Sequence, residues 1–223
     1  MQKAVHNYAF IHSFSALLCD TLGKDQKRSV GMLRLGIDID GTITPPETFV
    51  PYLNKSFKKQ ITLDDIKDYD LTKALEVSYE ELGQWMAEFE PIIYGEAPVS
   101  KGAKEILGKW KEKHDLIFIS ARGHHLYDTT LNWFEKNEVS FHNIDLVGSH
   151  DKLEAVKKHR IDVFFEDKHD NACMISEEFN IPVILFNTPY NQDPVPEQVV
   201  RVNSWFEAEE WLDRRVLELK ENR

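Results

Sequence analysis

The chain has 223 residues, 42% of them hydrophobic and 29% charged, with a formal net charge of −11. That length suits one sizeable domain, or a core domain carrying a smaller insertion, and the apolar fraction is enough for a buried core. The acidic balance argues against nucleic acid polymers or an anionic membrane as main partners, since those require a basic footprint, but it leaves room for a small phosphorylated substrate held by local cations.

Residues 1–31 read as an N-terminal extension. Ala4–Leu22 is moderately apolar, but His12, Ser13 and Ser15 interrupt it, and Leu18 precedes Cys19 where a lipoprotein signal would want a small residue. The reading favours an appendage, either a loosely docked helix or a non-native extension, over a weak export signal, and Met32 offers a second translation start. No stretch approaches the ~20 apolar residues of a membrane span. Cys19 and Cys173, the only cysteines, have no metal-ligand spacing, so a reducing cytoplasm is the simplest setting.

From residue 32 onward strand-like and helix-like segments alternate. Strands are predicted at Leu33–Ile39, Leu116–Ser120, Ile144–Val147, Asp162–Glu166 and Val183–Phe186, with Val199–Val202 at an edge. Helices are predicted between them at Lys101–Lys113, His124–Asn137, Lys152–His159 and Asn171–Phe179, and a last one starts after Ser204. This alternation predicts an α/β fold, a Rossmann-like parallel sheet covered by helices. Residues 47–95 break it. Thr62 with Asp65, and Ser78 with Glu81, resemble helix N-caps, and Leu82, Trp85, Met86 and Phe89 share a helical face. The expectation is a core of residues 32–46 and 96–223 with a small helical cap, 47–95, inserted after the first catalytic strand as a lid.

Chemistry gathers at strand ends. Asp38-Ile39-Asp40-Gly41-Thr42 delivers two carboxylates at i and i+2 into a turn, where they can share a face. Two anions so close call for a hard divalent cation such as Mg²⁺. Asp38 is then the candidate nucleophile and Asp40 the proton shuttle. Ser120, Ala121 and Arg122 follow the second strand, where a hydroxyl, backbone N–H groups and a fork of donors could hold phosphate oxygens, with Thr42 beside them. Lys152, at a helix start, could neutralise both phosphate and Asp38. Glu166-Asp167 ends the fourth strand, with Asp170 and Asn171 just beyond. Asp167 is the chosen third metal ligand, and Glu166 and Asp170 are supporting acids. All lie at the carboxyl edge of the sheet, where α/β folds collect ligands.

Taken together, these motifs resemble the haloacid dehalogenase superfamily of phosphatases over roughly Leu33–Phe186. The resemblance implies that Asp38 becomes phosphorylated and binds the metal. Asp40 would act as acid and then base, its carbonyl touching the metal, while Ser120 and Lys152 would hold the phosphoryl group. Pro98-Val99-Ser100-Lys101-Gly102-Ala103 and the helical cap are more similar to the cytosolic 5'(3')-deoxyribonucleotidase group. In that group cap aromatics face the base; here Phe49, Tyr69, Trp85 and Phe89 are the candidates, most of them needed for the cap's own core. The expected activity is Mg²⁺-dependent hydrolysis of nucleoside monophosphates. A sugar-phosphate phosphatase is the alternative, and a non-catalytic phosphate-binding protein comes last.

Overall fold

The computed structural model describes residues 31–221; the expected N-terminal helix or appendage lies outside the described residues. The strands are β1 Arg34–Ile37, β2 Asp115–Ser120, β3 Asn143–Leu146, β4 Val163–Glu166, β5 Val183–Phe186 and β6 Val199–Val202. They pair in the order β3-β2-β1-β4-β5-β6, every pairing parallel. Helices on both faces leave the central strands no solvated side, so β2, β4 and β5 read as near-continuous runs of Leu, Ile, Val and Phe.

The strand order sets where a ligand can sit. From β1 the chain walks outward through β2 to β3, then crosses to β4 on the other flank of β1. This reversal opens a crevice at the carboxyl ends of the strands. Ile37 lies level with Phe118 of β2 and Phe165 of β4, so the loops leaving these three strands emerge at one height. Asp38 continues that alignment, its N–H donating to the Phe165 carbonyl at 2.9 Å.

Alternation along the strands divides the core. Leu35, Ile37, Phe118 and Phe165 pack with Trp110, Trp133 and Trp205, on the side of α4 Ala103–Lys111, α5 Tyr127–Lys136 and α8 Trp205–Glu221. Ile117, Ile119, Phe164 and Val183 pack with Val156 and Ile175, from α6 Leu153–His159 and α7 His169–Phe179. Gly36 faces this second layer, where a Cβ would stand 2.5 Å from the Phe164 ring. The predicted strand Leu33–Ile39 is shorter because Ile39 already belongs to the turn. The helix predicted from Lys101 starts at Ala103, since Gly102 has a φ of 88°. α8 begins as expected, with Ser204 Oγ accepting from the Glu207 N–H at 3.2 Å.

Between β1 and β2 lie α1 Val50–Phe57, α2 Leu71–Leu75 and α3 Tyr79–Glu96. Ser78 caps α3, accepting from the Glu81 N–H at 3.1 Å. The Thr62–Asp65 box closes only a single 3-10 turn, Leu63–Asp65. Sequence periodicity missed α1 and α2, short helices whose starting signals are Pro51 in the first turn and Asp70 capping Thr72. These helices share an apolar cluster of Leu53, Leu75, Trp85 and Ile93.

Candidate active site

After β1 the backbone makes one wide turn over Ile39–Ile43, closed by the Thr44 N–H donating to the Ile39 carbonyl at 3.0 Å. Gly41 adopts a φ of 81°, and a Cβ there would fall 2.2 Å from Asp167 Oδ2. Only glycine lets β1's turn approach β4's acidic end so closely.

Asp38 is 5% exposed and pairs with the Lys152 ammonium. Lys152 Nζ also donates to Glu166 Oε2 at 2.8 Å. Lys152 is the N-cap of α6, where a cation opposes the helix dipole slightly, and its ammonium is held instead by the two acids. Glu166 Oε1 accepts the N–H groups of Asp167 (3.2 Å) and Lys168 (3.1 Å), and Asn171 Nδ2 lies 3.3 Å from Oε2. Asp167 accepts from the Tyr190 hydroxyl at 2.5 Å. Asn191 then fixes the Asp167 carbonyl at 2.7 Å.

Asp38, Glu166 and Asp167 offer carboxylate oxygens that all lie within 4.8 Å of one another. Burial pushes the Asp38 carboxyl up to about 7, with Lys152 opposing and Glu166 and Asp40 adding to the rise. Burial, then the charges of Glu166 and Asp38, hold Asp167 well above the usual carboxylate range. Burial acts upward on Glu166 most strongly, but the Lys152 charge and hydrogen bond, with the Lys168 N–H and the Asp167 hydrogen bond, together lower that group. One ammonium thus faces a buried triad of acids, and a donor set of hard oxygens in this balance suits a divalent cation.

Asp40 takes a different partner. Arg122 donates to both its oxygens, Nε to Oδ2 at 2.9 Å and Nη2 to Oδ1 at 2.7 Å. Nη1 donates to Thr130 Oγ1 of α5 at 3.1 Å, and Tyr94 of α3 covers the guanidinium with its ring centre 3.8 Å away. Ser120 Oγ accepts the Arg122 backbone N–H at 3.3 Å.

A cavity of about 410 Å³ opens onto these groups. Its floor includes Asp38, Asp40, Ser120, Ala121, Lys152 and Asp167, and its upper wall Phe49, Tyr69, Tyr79, Leu82 and Met86. Several predicted residues lie elsewhere. Trp85 and Phe89 stack on each other at 5.2 Å inside the helical segment's core and do not line the cavity. Thr42 is buried away from it, its carbonyl accepting the Trp205 Nε1–H at 3.1 Å. The Asp170 carboxylate is 77% exposed and faces His169, whereas its neighbour Asn171 reaches Glu166. Tyr190, Asn191, Tyr94 and Thr130 were not singled out from sequence. Only the Pro189-Tyr190-Asn191 turn after β5, at the ligand-collecting edge, offered a signal.

Known proteins share this arrangement of elements. A family model described as "5' nucleotidase, deoxy (Pyrimidine), cytosolic type C protein" matches residues 31–217. BH1399 of Halalkalibacterium halodurans, provisionally named a nucleotidase, is 55% identical over 180 residues, covering 81% of this chain and 92% of that protein. Nucleotidase CA_C3379 of Clostridium acetobutylicum is 30% identical over 182 residues, covering 82% and 94%. Among solved structures, the haloacid dehalogenase-like hydrolase SP0104 of Streptococcus pneumoniae aligns with a TM-score of 0.59 at 12% identity, over 82% of this chain and 99% of that one. The hydrolase YfnB of Bacillus subtilis, solved bound to magnesium, gives 0.57 at 13% identity, over 84% and 100%. The chain therefore belongs to the cytosolic type C 5'-nucleotidase family, phosphoric monoester hydrolases on the haloacid dehalogenase fold.

Proposed function

We propose that this protein is a Mg²⁺-dependent phosphatase of nucleoside monophosphates that works through an aspartyl phosphate. One observation carries the reading: Lys152 bridges Asp38 and Glu166 at the floor of the cavity, beside Asp167. A buried carboxylate with an ammonium at its side is an oriented nucleophile whose charge is offset as an anionic phosphate approaches.

In the first step an Asp38 oxygen bonds to phosphorus as the bond to the nucleoside oxygen breaks, and Asp40 gives that oxygen its proton. In the second, Asp40 takes a proton from water as the water oxygen attacks phosphorus, releasing phosphate and restoring Asp38. Ser120, the Ala121 backbone and Lys152 hold the phosphoryl oxygens. Asp38, Asp167 and the Asp40 carbonyl would hold Mg²⁺, which when bound draws negative charge from the transferring group. Residues 47–95 act as a cap over a core of 32–46 and 96–223, with Phe49 and Tyr69 facing the base. Stacking there is worth roughly 1–3 kcal/mol. The family's cytosolic type supports a cytoplasmic setting.

Phosphate release is measured from ribo- and deoxyribonucleoside monophosphates and sugar phosphates, with Mg²⁺ and with chelator. Mg²⁺-dependent release concentrated on nucleotides is expected, and Asp38→Asn abolishes it with the fold intact. Release spread over sugar phosphates would discard the substrate and keep the chemistry. Turnover surviving Asp38→Asn would refute the covalent route.

A further inference from the structure

We infer that Arg122 is a positioning residue for Asp40, held in turn by Thr130 and Tyr94, and not a ligand of the substrate phosphate. The inference rests on the acid–base role proposed for Asp40. Arg122 borders the cavity, but its side chain is 0% exposed and each of its three guanidinium nitrogens already donates to a protein oxygen. Its Nε and Nη2 hold the two Asp40 oxygens and its Nη1 holds Thr130. Tyr94 closes the remaining face, and Tyr94 itself is 6% exposed with Phe49 edge-on at 5.7 Å.

A fork bound to both oxygens fixes the plane of a carboxylate, which a point cation cannot do. It leaves the acid its chemistry, because a carboxylate has about four acceptor positions and the fork takes one on each oxygen. The outward lone pair on either oxygen can carry the proton that passes to the leaving group. Asp40 is the more exposed acid, at 26%, and has no Lys152-like ammonium, so its aim comes from Arg122. Thr130 on α5 and Tyr94 on α3 set the guanidinium from opposite elements, which makes the aim of Asp40 depend on how the helical segment packs.

The leaving group separates this role from others. An alkoxide needs a proton to depart and nitrophenolate does not, so kcat/KM is compared for a nucleoside monophosphate and for p-nitrophenyl phosphate, in Mg²⁺. This ratio covers the steps up to leaving-group departure. Arg122→Lys, which keeps the charge and loses the fork, is expected to cut kcat/KM for the nucleotide by about 10–100-fold, less than the roughly 100–10,000-fold that a full general acid contributes, since Asp40 stays in place and loses only its aim. The value for p-nitrophenyl phosphate changes less than about 3-fold. Thr130→Val, which leaves Asp40 and Arg122 in place, shows the same selectivity at roughly 3–10-fold, as a misaimed group would. Equal losses on both substrates with weaker inhibition by inorganic phosphate would make Arg122 a phosphate ligand and overturn the inference. So would a loss of thermal stability in either variant with unchanged selectivity. Asp40→Asn is run beside them: if it too shows no leaving-group selectivity, the acid role itself falls, whatever Arg122 does.

Discussion

Replacing Lys152 by Met keeps the side-chain volume and removes the cation between Asp38 and Glu166. All three groups are nearly solvent-free, Lys152 at 2%, Asp38 at 5% and Glu166 at 1%. Removing one partner of a buried pair leaves an uncompensated charge and costs about 3–5 kcal/mol. For a domain of this size each 1 kcal/mol moves Tm by about 2–4 °C, so the apo variant should melt about 6–20 °C below the parent. The sign of the carboxyl shifts sets the pH dependence. Asp38 already has a folded pKa near 7, raised by burial against Lys152, so its folded form holds a proton that the unfolded chain has lost, and stability falls as pH climbs from about 4 to 7. Without Lys152, Asp38 rises further and Glu166 loses the cation that lowers it, so the deficit is larger at pH 8 than at pH 5.5. Thermal melts in chelator at both pH values test this, with the Lys152→Met/Glu166→Gln double variant expected to recover part of the loss. A melting point within about 2 °C of the parent at pH 8 would show that the acids carry no buried charge, and the charge-balance argument for a cation would go with it.

Gly41→Ala forces a side chain into a φ of 81° and sets its Cβ 2.2 Å from Asp167 Oδ2. The backbone strain alone is about 1–2 kcal/mol. Since Asp167 must turn off Tyr190 to make room, Mg²⁺ affinity by calorimetry should fall more than stability does; unchanged affinity would mean that Asp167 is not a ligand. His114 accepts the Leu33 N–H through Nδ1 at 3.2 Å, and burial holds its imidazole below the ordinary 6.5. Folded His114 therefore binds fewer protons than unfolded, and stability is lost as pH falls through about 6.5, at up to about 1.4 kcal/mol per pH unit. Urea titrations between pH 5 and 7.5 should show this contribution as the difference between the parent and His114→Asn, since Asp38 acts in the opposite sense over the same range.

The sheet and the acids at its edge were legible in sequence because each motif is local: an apolar run of strand length, then its charged group within two or three residues. Strand order was not needed to place Asp38, Ser120 and Asp167 on one edge, since parallel strands all end there. What was not legible is who pairs with whom. A guanidinium just after a strand-ending serine reads as a phosphate fork, and nothing near Arg122 announces an acid 82 positions earlier. The aromatic stripe of α3 is ambiguous for a related reason. Trp85 and Phe89 are one turn apart and carry the same periodicity whether they face a base or a core; only the packing of α1 and α2, themselves unseen, turns them inward. Tyr190 lies in a loop with no apolar period, and its contact with Asp167 spans 23 positions.

In the mechanism proposed above, the partners of the two acids on the β1 turn divide the work between a nucleophile, Asp38, and a proton donor, Asp40. Asp38 faces an ammonium, a compact charge on a flexible stem that can be shared with Glu166 and then with an incoming phosphate without imposing a direction. Asp40 faces a planar fork, buried and anchored on α3 and α5, which imposes a direction and shares little. A nucleophile that must accept an anion beside it gains from the first arrangement, and a proton donor that must find one leaving oxygen gains from the second. Exchanging the cations would leave the formal charge of the site unchanged while giving the nucleophile a rigid clamp and the proton donor none. Net charge is thus the wrong measure of this site; what the fold supplies at residues 122 and 152 is the shape of each positive charge and the elements to which it is tied.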